Sequence, residues 1–116
     1  MSYREIYFLD RKLNKITMDA LFQYVKLDKS ENLESFTQKK LDKLEERYDW
    51  IIGAEVHFKK EEPQAPKGYI CNISLRGPGQ NIFAESNEES FEAAAAETVK
   101  DLERQLQKRK SQMKSY

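Results

Sequence analysis

Cysteine and histidine are almost absent from this sequence of 116 residues, which contains one of each, Cys71 and His57. A single cysteine cannot form an internal disulfide, and one residue of each type cannot build a zinc site of cysteine and histidine ligands. The sequence therefore predicts a protein of a reducing compartment, with no metal site and no cofactor.

Long apolar runs are also missing. The longest are "WIIGA" and "AAAA", whereas a bilayer span needs roughly 20 apolar residues. Residues 1–17 lack the apolar core of a secretory signal. We therefore predict a cytoplasmic protein that has no membrane partner.

Acidic residues are absent from one stretch, "RQLQKRKSQMK" at 104–114, which holds five basic residues in a chain of zero net charge. Residues 85–103, just before it, hold seven acids and one base. A helix arranged to suit its own dipole has this charge order, and each such charge is worth about 0.3 to 1 kcal/mol. A surface that binds an anion has the same basic end, so charge alone leaves both explanations open.

Hydrophobic periodicity predicts four strands and two helices. Alternation and β-prone composition predict strands in "ALFQYVKL", "IIGAEVHFKK", "YICNISL" and "NIFAE". Helical spacing predicts a first helix at about 32–48, capped by Ser30 or Asn32, and a second that starts in "SNEES" and runs to about Lys110. For the second helix, Ser86 with Glu89 matches a capping box and Ser90 is a rival cap. The order predicts one two-layer α+β domain, βαβββα, with a four-stranded mixed sheet and two helices on one face.

Basic residues recur at helical spacing on both predicted helices. Lys39, Lys43 and Arg47 are spaced i, i+4 and i+8 beside the apolar face of the first helix, and Lys40 flanks them. Two helices side by side would place these residues and those of the second helix on the rims of one groove. Cations on rigid helices bind the phosphates of RNA, although lysines on a solvated helix face are common. The predicted RNA-binding residues are Lys39, Lys40, Lys43, Arg47, Arg104, Lys108, Arg109 and Lys110.

No motif in the sequence indicates catalysis or a small-molecule substrate. His57 lies on the polar face of a predicted strand and has no nucleophile at motif spacing. "RGPGQ" lacks the phosphate-loop pattern and reads as a turn, at whose edge Arg76 could touch RNA. Tyr48 is assigned to the core, whereas Trp50 is left open between core packing and base stacking. We predict a protein that is not an enzyme.

Three stretches together resemble the short form of the ribosome hibernation promoting factor family, also called ribosome-associated inhibitor or sigma-54 modulation proteins. They are "LESFTQKKLDKLEERYDWIIGAEVHF", "IFAESNEESFEAAAAE" and "LERQLQKRKSQMK". The resemblance implies a fold similar to double-stranded RNA-binding domains and a non-catalytic role. It also implies binding to the small ribosomal subunit and its ribosomal RNA, where messenger and transfer RNA would lie.

The sequence departs from the family at three places. Trp50 stands where many relatives carry a basic residue. We expect the C-terminal dimerisation domain of the family's long forms to be absent from this protein, and the protein to be monomeric off the ribosome. "MDALFQYVKL" from Met18 resembles the family's usual start. We therefore expect residues 1–17 to be an extension upstream of the natural start, and 18–116 to be a single ribosome-binding domain.

Three functional hypotheses follow from these features. The first is a hibernation factor that occupies the messenger and transfer RNA path, inhibits translation and preserves idle ribosomes. The second is an RNA-binding module for a structured RNA outside the ribosome. The third is a protein-interaction domain whose basic groove docks on an acidic partner.

Overall fold

The computed structural model describes residues 19–61 and 67–113, which form four strands and two helices in the predicted order. Strand β1 (Asp19–Val25) leads into helix α1 (Glu31–Arg47). Strands β2 (Gly53–Lys60), β3 (Tyr69–Arg76) and β4 (Ile82–Glu88) follow, and helix α2 (Phe91–Met113) ends the described chain. The predicted βαβββα fold and its mixed sheet are confirmed.

The sheet has the strand order β1-β2-β3-β4. β1 pairs with β2 in parallel, because α1 carries the chain back across the sheet between them. The other two pairs are antiparallel and are joined by short connections. Within residues 19–61 and 67–113, β1 and β4 are therefore the edge strands, and the order along the chain is the order in space.

One face of the sheet forms the core because strand side chains alternate between faces. Ala54, Val56 and Phe58 of β2 are fully buried, and the residues opposite them on β3 point to the same side. Phe58 lies at the centre of an aromatic cluster, with its ring centroid 5.6 Å from those of both Tyr24 and Phe91. The two helices cover this face, and no described helix or strand covers the opposite face, which we call the open face.

Ser30 is the N-cap of helix α1, which resolves the choice between the two predicted caps. The Ser30 side chain accepts a hydrogen bond from the Leu33 amide at 3.2 Å. The hydroxyl of Tyr24, in β1, donates to the Glu34 carboxylate at 2.9 Å and so ties the first turn of α1 to the sheet. The buried face of α1 carries Leu33, Thr37, Leu41 and Leu44.

The prediction for the start of the second helix was wrong in one respect. Ser86 does not cap the helix, because it pairs with Cys71 inside β4, which runs to Glu88. Ser90 is the cap, and its hydroxyl accepts a hydrogen bond from the Ala93 amide at 3.0 Å. Backbone pairing with β3 outcompetes the local capping box. The helix also continues past Lys110 to Met113.

The two helices run in the same direction, antiparallel to β4. Late residues of α2 contact the start of β4, where Gln105 donates to the Phe83 carbonyl at 2.9 Å. The ends of the helices also meet, since Lys110 Nζ lies 5.5 Å from the centroid of the Tyr48 ring. Both helix C-termini, with their basic residues, therefore lie at one end of the molecule.

Cys71 is fully buried in the core, and burial raises the pKa of its thiol to about 12. An unfolded cysteine has a pKa of about 8.5. We expect the native thiol to resist a thiol-specific reagent at pH 8 and to react only as the protein unfolds, as followed by absorbance. Labelling of the native protein as fast as that of the urea-unfolded protein would contradict the burial.

The raised pKa of the Cys71 thiol also predicts that the folded protein loses stability at alkaline pH. Above about pH 8.5 the unfolded state releases the thiol proton while the folded state keeps it, so the free energy of unfolding falls as pH rises. The slope from this group is at most about 1.4 kcal/mol per pH unit. Urea denaturation of the wild type and of Cys71→Ala between pH 7 and 10 isolates the thiol, because the variant lacks this slope.

Candidate nucleic-acid interface

A groove runs between the two helices on the side away from the sheet. Its α1 wall carries Lys40, Lys43 and Arg47, and its α2 wall carries Lys100. We call this feature the interhelix groove and define it by Lys40, Lys43, Leu44, Glu46, Arg47, Ala96, Val99, Lys100 and Glu103. Small and aliphatic residues keep the helices close, and longer charged side chains line the opening.

An ion pair crosses the groove between the guanidinium of Arg47 and the carboxylate of Glu103. The two side chains are 61% and 28% exposed, so solvent screens the pair. Exposed pairs of this kind contribute about 0 to 1 kcal/mol. A phosphate can therefore compete for Arg47 at a small energetic penalty.

The outer face of α2 pairs its basic residues with acids one turn earlier. Lys100 Nζ lies 3.6 Å from a Glu97 carboxylate oxygen, and Arg104 lies 3.8 Å from Asp101. Both basic side chains are about two-thirds exposed. Arg104, a predicted RNA-binding residue, is thus beside the groove on the solvent side of α2.

The structure brings four of the predicted residues to the groove and its end. Lys40, Lys43 and Arg47 line it, and Lys110 lies at the end where both helices finish. Lys40 Nζ lies 4.9 Å from the centroid of the Phe36 ring, which supports the lysine stem. Arg47 and Lys110 both lie against the Tyr48 ring, so the basic residues continue from the groove to its end, with Glu46 and Glu103 among them.

Three of the other predicted residues, Lys39, Lys108 and Arg109, border hollows outside the groove. Lys39 borders a separate hollow on the β1 side of α1, together with Phe22 and Glu34. Lys108 and Arg109 border a hollow on the β4 side of α2. The Arg109 guanidinium donates to the Gln80 carbonyl in the turn before β4, so it fastens α2 to the sheet edge.

Sequence reasoning missed Lys100 and Glu103 as groove residues. Lys100 precedes Arg104 by four positions, a spacing that could have extended the basic stripe toward the middle of α2. Glu103 carries no such signal, because its distance from Arg47 depends on how the two helices pack. Its carboxylate lowers the positive charge of the groove.

Aromatic and basic side chains are in contact at the C-terminal end of α1. Tyr48 is 3% exposed and packs in the core, as predicted. Its ring centroid lies 6.0 Å from Cζ of Arg47, and Trp50 contacts it edge-on at 6.3 Å between centroids. The Tyr48 ring thus links the groove to Trp50.

The open face of the sheet carries His57, whose Nδ1 lies 3.0 Å from Oδ1 of Asn72 on the neighbouring strand. Among residues 19–61 and 67–113, no group of three or more histidine, cysteine, aspartate or glutamate side chains could hold a metal ion. Within the same described ranges, no helix is long and apolar enough to cross a membrane.

Solved structures similar to this chain include two that are described as a ribosomal subunit interface protein and as a Protein Y domain. The ribosomal subunit interface protein from Coxiella burnetii is 24% identical, with a TM-score of 0.73, and the match covers 81% of this chain and 99% of that one. The Protein Y N-terminal domain from Thermus thermophilus is 21% identical, with a TM-score of 0.67, over 80% of this chain and 98% of that one. At these identities the likeness establishes a shared fold.

Family assignment comes from the sequence match. A search of curated proteins finds no match. The family model described as Sigma 54 modulation protein / S30EA ribosomal protein matches residues 21–114, which span every element of the described fold except the first residues of β1. The chain therefore belongs to the Sigma 54 modulation protein / S30EA ribosomal protein family.

Proposed function

We propose that this protein is a ribosome hibernation factor that binds the small ribosomal subunit in the path of messenger and transfer RNA. It inhibits translation by occupying that path and so preserves idle ribosomes in the cytoplasm under stress and in stationary phase. The observation that carries the proposal is the interhelix groove in a member of this family. The name of the Coxiella burnetii neighbour, a ribosomal subunit interface protein, supports binding to the ribosome.

The groove suits the phosphate backbone of ribosomal RNA. Lys40, Lys43 and Arg47 stand on one rigid helix, and Lys110 extends the surface at its end. Cations of this kind bind RNA by releasing its counterions. We propose these four as the main phosphate contacts, whereas Lys39, Arg104, Lys108 and Arg109 add positive charge around them.

The proposed mechanism is steric and needs no chemical step. The buried Cys71 thiol, whose pKa is raised to about 12, is a poor nucleophile at neutral pH. His57 is engaged with Asn72 on the sheet face opposite the groove. Neither residue lies where bound RNA would meet it, which supports a role that is not enzymatic.

Steric occupancy is tested by competition on purified small subunits. Prebound protein should block the binding of messenger and initiator transfer RNA, and excess transfer RNA with messenger should displace the protein. Simultaneous binding of all three would contradict occupancy of that path. Competition by an acidic protein with no effect of RNA would instead favour the protein-interaction hypothesis.

We further propose that residues 18–116 carry the whole function. The family match starts at residue 21, and β1 begins at Asp19. Deleting residues 1–17 should therefore leave the melting temperature and the affinity for small subunits nearly unchanged, as measured by calorimetry and filter binding. A large fall in melting temperature in the shortened protein would assign the extension to the fold.

A further inference from the structure

Trp50 is the only tryptophan of the chain and lies in the connection between α1 and β2. Its indole is half-buried, so part of it remains open to solvent. The buried part contacts the Tyr48 ring and the backbone of the turn after β3. Core packing therefore accounts for one part of this side chain and leaves the rest without a role.

The indole shares a neighbour with two cations of the proposed RNA surface. The Tyr48 ring lies 6.0 Å from Cζ of Arg47 and 5.5 Å from Nζ of Lys110, and Trp50 contacts the same ring. Tyr48 is 3% exposed and cannot accept a base. Trp50 is a partly open aromatic group that contacts the same ring as these two cations.

The connection that carries Trp50 is held in place on both sides. The Ile51 amide donates to the Tyr48 carbonyl at 3.1 Å, and the Ile52 amide donates to the Arg76 carbonyl at 2.8 Å. A β-carbon at Gly77 would lie 3.3 Å from Cε3 of the indole, so the turn fits closely against the ring. Little conformational entropy remains to be lost when a ligand packs on such a side chain.

We infer that Trp50 stacks on an unpaired base of the RNA whose phosphates the interhelix groove binds. Aromatic rings accept any base face, and cations beside them hold the adjoining phosphates. This inference rests on the proposed function and adds a contact of a different kind. Stacking releases no counterions, so its contribution to affinity does not depend on salt as that of a lysine does.

Three variants separate stacking from charge when their affinities for purified small subunits are measured over a range of salt. Trp50→Leu should bind roughly 5- to 100-fold more weakly, with the wild-type slope of log K against log salt. The affinity of Trp50→Phe, which keeps a smaller aromatic ring, should lie between those of the wild type and Trp50→Leu. Lys43→Gln should also weaken binding, but it should flatten the slope by roughly 0.7 to 0.9 units.

Ultraviolet cross-linking of the wild-type complex gives a readout that is independent of protein stability. Trypsin cleaves after Arg47 and Lys59, so Trp50 falls in the peptide 48–59. We expect a nucleotide adduct on residue 50 of that peptide. This result remains decisive if Trp50→Leu fails to fold, and Trp50→Phe then supplies the affinity.

The outcomes distinguish this inference from the function on which it rests. Wild-type affinity in the Trp50 variants together with weak binding by Lys43→Gln would overturn stacking and leave the groove in place. Weak binding by the Trp50 variants without an adduct on residue 50 would also overturn it, and would point to a protein contact. Wild-type affinity in Lys43→Gln and in the variant with Lys40, Lys43 and Lys110 replaced by glutamine would show that the subunit binds elsewhere than the groove, and would overturn stacking beside it. Absence of binding by the wild-type protein itself would overturn the proposed function.

Discussion

Replacing Lys40, Lys43 and Lys110 by glutamine lowers the affinity for small ribosomal subunits by at least about 100-fold at physiological salt, on our account of the interhelix groove. Each lost phosphate contact also flattens the salt dependence, so log K against log salt loses roughly 2 to 3 units of slope. Filter binding over a range of salt measures both quantities. The fold should survive, because the lost cation–π contacts contribute about 0.5 to 1 kcal/mol each.

The matched control removes the same charge from a different surface. Lys29 and Lys67 lie in connections, and Lys59 lies on the open face of the sheet. Replacing these three by glutamine should change affinity only slightly and leave the salt slope near the wild-type value. Equal losses in the two triple variants would mean that net charge, and not the groove, governs binding.

Phe58→Ala should lower the free energy of unfolding by about 3 to 5 kcal/mol. Phe58 is fully buried, and its ring packs on those of Phe22, Tyr24 and Phe91, which join β1, β2 and α2. The alanine would leave a cavity where three elements meet. In a domain of this size the melting temperature should fall by at least about 12 °C in calorimetry.

Phe83→Ala makes the same chemical change on the open face of the sheet. Phe83 is 53% exposed, so its removal should alter stability by no more than about 0.5 kcal/mol. A loss at Phe83 as large as that at Phe58 would mean that the open face is covered in solution. Similar small losses at both positions would contradict the placement of the core.

The fold was predictable because its periodicities are local. Ala54, Val56 and Phe58 alternate with polar residues, and alternation alone places them on one face of a strand. The end of β4 was not predictable in the same way. Ser86 and Asn87 read as helix-start residues, and only their pairing with Cys71 and Ile70 places them in the sheet. At these residues the hydrogen bonds between β3 and β4 override the local preference for a helix start.

The candidate site was predictable in composition and less so in arrangement. Helical spacing grouped Lys43 with Arg47, and both line the groove. It also grouped Lys39 with them, although each i, i+4 step overshoots a full helical turn by about 40° and so leaves Lys39 toward the other side of α1. Lys108 and Arg109 are adjacent to Lys110 in sequence, but α2 turns them toward β4. Which side chains of two packed helices face each other depends on the tertiary structure and cannot be read from the sequence of either helix alone.

The position of the acid Glu103 in the groove was also not predictable from the sequence. Glu103 meets Arg47 across a gap of 56 residues in sequence. The sequence presents Glu103 as one of the acids before the basic end of α2 and gives no reason to single it out. The packing of the two helices makes Glu103 the ion-pair partner of Arg47, a predicted RNA-binding residue. The positive charge of the groove is therefore smaller than its number of lysines and arginines implies.

Sedimentation of lysates from stationary-phase cells through a sucrose gradient at low salt tests the central claim most directly. Immunoblots of the fractions should find the protein with small subunits and whole ribosomes, and the Lys40, Lys43 and Lys110 variant should move to the top of the gradient. Wild-type protein found only at the top, free of ribosomal particles, would contradict the proposal that this protein is a ribosome hibernation factor.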